Sequence, residues 1–226
     1  MNSIDQVMPG SNDSDGAEDA NLVSLVNGWL GDFERALSTG DPQRVASLIE
    51  EDGNWRDLLA FTWHLTPRVG APEIAEVLTA RQAAVGAYGF RVSPDRTPPR
   101  LVNRLGRDCI EAIFDFETKV GRGDGVLRLV ADSNAQNGGQ YKAWVISTSL
   151  QELRGFEETI GKNRPSGAAY SRNFGGDNWE DARRKAVLYE DKDPTVLVVG
   201  GAQAGLSIAA RLNQIGVETL VVEKWP

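Results

Sequence analysis

The sequence predicts an α+β domain followed by a separate parallel strand–helix–strand piece, and three observations carry that prediction. Apolar residues recur at three- and four-residue steps as far as Tyr88, then at two-residue steps from Pro98 onward, a change from helical to strand period. An unbroken apolar run, Thr195 to Val199, leads straight into a glycine-rich turn. The chain has 226 residues, more than one domain of about 150 needs.

Residues 1–20 carry Asp5, Asp13, Asp15, Glu18 and Asp19 with no Lys or Arg. Such a segment buries too little apolar surface to offset the entropy of ordering, so a disordered acidic tail is expected there. From Asn21 the positions Leu22, Leu25, Val26, Trp29, Phe33 and Leu37 describe an amphipathic helix stopped by Thr39-Gly40. Asp41-Pro42 restarts a short helix with Val45, Leu48 and Ile49 inward, proline being a normal first helical residue. Trp55 to Trp63 is dense in large apolar groups and reads as helix or tight turn over the core. Ala71-Pro72 opens a further helix with Ile74, Val77, Leu78, Arg81, Val85 and Tyr88 on adjoining positions.

In the second half Ile110, Ala112, Phe114 and Phe116 alternate with Glu111, Ile113, Asp115 and Glu117, a strand with one face in water. The Gly121–Gly125 segment reads as a bend before a strand from Val126 to Ala131. Asn137-Gly138-Gly139 reads as a hairpin turn, since those residues accept positive φ. A strand from Tyr141 to Leu150 completes an antiparallel meander. Helices first and strands after define a domain over residues 21–152. Residues 153–193 form a linker or arm, with Asp177-Asn178 capping a short helix and Arg183-Arg184-Lys185 on its solvated face. Residues 194–226 hold the strand–helix–strand piece.

Composition narrows function. With 41% hydrophobic and 25% charged residues the chain is an ordinary globular protein. A net charge of −8 argues against a nucleic-acid partner. No apolar run reaches the ~18 residues of a membrane span. The N-terminus lacks a basic start and an apolar stretch, so a cytoplasmic location is expected. One cysteine (Cys109) and one histidine (His64) exclude a disulfide framework and a Cys/His metal cluster.

The sharpest motif is Gly200-Gly201-Ala202-Gln203-Ala204-Gly205, between an apolar strand and a helix, with Glu223 ending the second strand 18 residues beyond Gly205. That is the context of a dinucleotide-binding fingerprint. Gly200 permits the tight turn, the middle of the loop approaches a pyrophosphate at the positive end of the helix, and Gly205 lets helix and strand pack closely. Glu223, followed by Lys224, would accept from an adenosine ribose and disfavours a 2′-phosphate. Ala202 stands where the middle glycine is expected, which weakens binding. The bland alternative is a βαβ unit that binds nothing.

The stretches G-K-N-R-P-S-G, D-N-W-E-D-A-R-R-K and T-V-L-V-V-G-G-A-Q-A-G through V-V-E-K resemble flavin-containing monooxygenases with a long N-terminal extension. Residues 21–152 resemble, less specifically, the α+β cone of the nuclear transport factor 2-like and SnoaL-like proteins. The resemblance implies a cone followed by a partial Rossmann-type βαβ unit, cut early in an FAD-binding domain. It also implies FAD at Gly200, Gly201, Ala202, Gln203, Ala204, Gly205, Glu223 and Lys224, an NADPH site outside these residues, and oxygenation of a small-molecule substrate. No residue here is implied as catalytic. The competing expectation is a non-catalytic cone that binds a small ligand or pairs as a homodimer. A rarer variant makes it an isomerase or cyclase around His64 with Asp57. For the remaining candidates, Cys109 reads as a buried inert thiol, and Trp29, Trp55, Trp63 and Trp144 as pocket or core.

Overall fold

The computed structural model describes residues 13–132, 140–164, 176–189 and 192–224. The chain separates into two compact units, Met1–Leu153 and Arg154–Pro226.

In the first unit, α1 (Asp13–Thr39), α2 (Pro42–Ala46) and α3 (Ala71–Val85) are the helices. The strands are β1 (Ile49–Leu58), β2 (Arg68–Val69), β3 (Tyr88–Val92), β4 (Arg100–Arg104), β5 (Arg107–Glu117), β6 (Gly121–Ala131) and β7 (Tyr141–Leu153). They form one seven-stranded sheet in the order β2-β1-β7-β6-β5-β3, with β4 also on β5. All pairings are antiparallel except β1 with β7, which is parallel. The unit is therefore α+β with a mixed sheet: the expected antiparallel meander is β5-β6-β7, and the parallel pairing comes from β1, which the sequence does not announce as a strand.

One face of the sheet holds the core. Ile110, Ala112, Phe114 and Phe116 of β5 and Leu127 and Leu129 of β6 meet Val26, Leu30, Phe33 and Leu37 of α1 and Ile74 and Leu78 of α3. Aromatic rings fill the space between helices and sheet. Phe90 stacks on Phe116 at 5.1 Å, Phe33 meets Phe90 edge-on, and Trp55 meets Phe61 edge-on. Gly123 and Gly125 lie inside β6 rather than in a bend. A Cβ at either would overlap the ring of Phe116 or Phe114 across the strand pair, so the glycines are sites where phenyl rings cross the sheet.

Three other expectations change. The expected tail is helical from Asp13, while residues 1–12 lie outside the described residues. Once the segment from Asn21 is fixed by packing, each residue added to the helix gains a hydrogen bond without a new nucleation cost. Trp55 to Leu58 is strand, because β1 docks in parallel on β7 and buries Trp55 and Asp57 on the core side. Tyr88 begins β3 rather than ending α3; Gly86 in the left-handed region closes the helix first. The edge of β3 is covered by α1, where Asn27 and Glu34 side chains accept from the Val92 and Phe90 amides. The hairpin at 137–139 falls outside the described residues.

In the second unit, a 3₁₀ turn at Gly161–Asn163 precedes α4 (Trp179–Leu188), which Asn178 caps by accepting from the Asp181 amide at 2.9 Å. β8 (Val196–Val199) and β9 (Thr219–Val222) pair in parallel, and α5 (Gln203–Gln214) connects them.

Candidate functional site

The first candidate is a groove of about 440 Å³ between α3 and the end of β1. Its local cause is a turn. Leu59 adopts a left-handed φ of 66°, which sends the chain sharply back over β1. Asp57 holds that turn. Its Oδ2 accepts from the Phe61 amide at 2.9 Å and the Thr62 amide at 2.7 Å, and its Oδ1 accepts from Thr148 Oγ1 at 2.6 Å. Thr148 in turn accepts from Trp55 Nε1 at 3.0 Å. Every buried polar atom in this chain of contacts has a partner, as burial requires.

The groove brings Asp57 and His64 to one site but separates their roles. Asp57 is 3% exposed and its carboxylate is spent on the turn. His64 is exposed, and its carbonyl rather than its ring takes the Thr62 hydroxyl. A catalytic pair needs a carboxylate that orients the imidazole, and the Asp57 hydrogen bonds go to Phe61, Thr62 and Thr148, with none to the His64 ring among the described residues. The remaining lining is Thr66, Arg68, Glu76, Val77, Ala80 and Arg81 over Trp55. Arg68 pairs with Glu73 at 2.8 Å, whereas Arg81 has no ion-pair partner among the described residues. Sequence reasoning placed Arg81 on the helix face without assigning it a role.

The tryptophans divide. Trp29 and Trp55 are core, Trp63 is 87% exposed, and Trp144 lies under the Arg107 guanidinium at 5.1 Å. Cys109 is buried, and that burial pushes its thiol pKa up, which suits an inert thiol.

At the glycine turn, Gly200 has φ 108°, and a Cβ on Gly205 would overlap the Gly200 carbonyl oxygen. Ala202 is the N-cap of α5 in extended conformation, with Gln203, Ala204 and Gly205 in the first turn. The Glu223 carboxylate folds back on this turn. Oε2 accepts from the Gly201 amide at 2.6 Å, and Oε1 from the Lys224 amide at 2.7 Å. The amide assigned to a diphosphate and the carboxylate assigned to a ribose thus bind each other.

No family model matches the chain, and no curated protein matches it. Solved structures do resemble it. One is a DUF4783 family protein from Bacteroides ovatus, 16% identical, over 54% of this chain and 94% of that one, TM-score 0.37. Another is a nuclear transport factor 2-like protein from Salmonella enterica, 11% identical, over 59% and 93%, TM-score 0.40. A third is a nuclear transport factor 2-like protein with a cystatin-like fold from Novosphingobium aromaticivorans, 11% identical, over 62% and 88%, TM-score 0.38. These scores are low, and the α+β class rests on the chain's own topology.

The identification as a flavin-containing monooxygenase is overturned: the solved structures named above are DUF4783, nuclear transport factor 2-like and cystatin-fold proteins, and no family model or curated protein supports a flavoprotein. The oxidoreductase and flavoprotein readings go with it. The NADPH expectation rested on that resemblance and loses its support with it, whereas the FAD expectation rested also on the Gly200–Gly205 motif and Glu223. No helix among the described residues is long and apolar enough to cross a membrane.

Proposed function

We propose that the α+β unit is a non-catalytic module that binds a small organic acid in the groove between α3 and the end of β1. The observation that carries this reading is the division of labour in that groove. Its buried carboxylate, Asp57, is consumed by the turn, while Arg81 and the His64 ring stay uncommitted at the rim. The groove sets Arg68 and Arg81 against Asp57 and Glu76, so its walls balance in charge, and the donors left for an anion's carboxylate are the Arg81 guanidinium and the His64 ring, with no free buried acid or base beside them. Trp55, Val77 and Ala80 give an apolar floor for the body of such a ligand.

The test is a panel of small aromatic and aliphatic carboxylic acids followed by NMR shift perturbation on the whole chain. Expected are shifts clustered on Thr62, His64 and Arg81, and affinity weakened about tenfold by Arg81→Ala, the scale of a lost charge-assisted hydrogen bond. Shifts elsewhere, or unchanged affinity in that variant, would sink the reading.

A further inference from the structure

On the sheet face opposite the core, strand register gathers three arginines around one carboxylate. Arg100 of β4 lies directly across from Glu111 of β5, and Arg128 of β6 lies directly across from Glu111 on the other side. Arg104 reaches the same carboxylate from further along β4. Its Nε donates to Oε2 at 3.0 Å and its Nη2 to Oε1 at 2.7 Å. Arg128 Nε donates to Oε2 at 2.9 Å, and Arg100 Nη2 to Oε1 at 3.1 Å. Glu111 is 13% exposed, and every ion pair of these three arginines among the described residues goes to it.

Charge does not balance there. Three guanidinium groups face one carboxylate, an excess of two positive charges held within a few ångströms. Glu111 does not relieve the excess by protonating, since the arginine hydrogen bonds, that of Arg104 foremost, hold its pKa at about 2. Each guanidinium carries five N–H donors, and only Nε and Nη2 of Arg104, Nε of Arg128 and Nη2 of Arg100 are spent on Glu111. The three arginines and Glu111 border a depression of about 290 Å³ whose other walls include Thr97, Pro98, Ile113 and Val126. A pair of balanced salt bridges would hold β4 to the sheet equally well; the third arginine is surplus to that task.

We propose that this depression is a binding site for a phosphomonoester dianion, with the phosphoryl group on Arg100, Arg104 and Arg128 and the ester's apolar part on Pro98, Ile113 and Val126. Two negative charges match the excess, and tetrahedral oxygens suit converging guanidinium forks. The site is separate from the α3 groove in both residues and ligand, so either can fail alone. Because the second ionisation of a phosphate ester lies near pH 6, occupancy rises as pH goes from about 5 to about 8 while the arginines stay charged.

The experiment is titration of the whole chain with phenyl phosphate and, separately, inorganic phosphate at pH 8, followed by NMR shifts and calorimetry. The ester binding several-fold tighter than inorganic phosphate is expected, with shifts on the three arginines, Ile113 and Val126. Arg128→Gln weakens binding tenfold or more. Arg100→Gln, on the most exposed of the three, weakens it about threefold with the fold unchanged by circular dichroism. Glu111→Gln tightens it, because a competing carboxylate is gone; a purely structural network predicts no gain. Equal binding of the two probes overturns the apolar part of the site. No shift at these residues, affinity unchanged in Arg100→Gln and Arg128→Gln, or a folded Glu111→Gln protein that binds no tighter overturns the proposal.

Discussion

The two units of this chain use equally clear secondary-structure signals to very different effect. In the first, alternation along β5 and helical periodicity along α1 converge on one continuous core of aromatic and aliphatic side chains. In the second, α4 is capped, α5 follows a glycine turn and two apolar strands pair in parallel. Yet no described residue of that unit is buried. Leu197, Leu206 and Ile208 are more than half exposed, and Val199 is 82% exposed. The difference teaches that local signals build elements, whereas stability comes from closing two apolar faces on each other. Two strands and a helix supply too few faces for that.

The sharpest way to break this comparison is a matched pair of truncations. Phe114→Ala removes a fully buried ring from the first core and should cost about 3–5 kcal/mol. Leu197→Ala, from a half-exposed side chain in β8, should change global stability by less than about 0.5 kcal/mol. Urea unfolding of both variants checks this; similar losses would mean that the second unit closes a core of its own.

A smaller effect sharpens the account of the α3 groove. Thr148→Val keeps the shape of the side chain but strips Trp55 Nε1 of its acceptor and Asp57 of a donor. With both groups buried, about 1–3 kcal/mol should be lost. NMR should show the change spreading to Phe61 and Thr62, whose amides Asp57 holds.

A further effect is in acid. The Glu111 pKa is depressed to about 2 from an ordinary value of 4.5, so its contribution is complete above about 4.5. It is lost as pH falls from there through about 2. A pH series of melting curves should show Glu111→Gln insensitive to that part of the acid limb while the unaltered chain weakens. Parallel curves in that window would remove the arginine network from the stability of the sheet.

Much of the first unit was readable from periodicity, and the exceptions have local physical reasons. β1 was read as helix or turn because its strand pattern is broken. Glu50, Glu51, Asp52 and Gly53 interrupt the alternation, and the register with β7 shifts between Ile49 and Asn54. The glycines of β6 resembled a bend because nothing local reveals that two phenylalanines of the neighbouring strand occupy their missing side-chain space. Asp57 and His64 do share a groove, but what occupies the Asp57 carboxylate is set by the local turn at Phe61 and Thr62 together with Thr148, 91 residues away. The arginine cluster is hidden from the linear sequence for a related reason. Its members alternate outward along their strands, a signal that was present, but only pairing register decides that they face one glutamate.

By itself the amino-acid order determined where helical period gives way to strand period, which faces are apolar, and that a parallel strand–helix–strand piece follows the main unit. These depend on spacing within a few residues, where backbone geometry leaves little choice. Tertiary structure alone decided that β1 docks in parallel on β7, that Asp57 serves a turn, that Glu223 closes on Gly201, and that Arg100, Arg104 and Arg128 converge. The β1–β7 pairing, the Asp57–Thr148 contact and the Arg128–Glu111 pairing join groups far apart in the chain, and a shift of one residue in register would send those side chains to the opposite face.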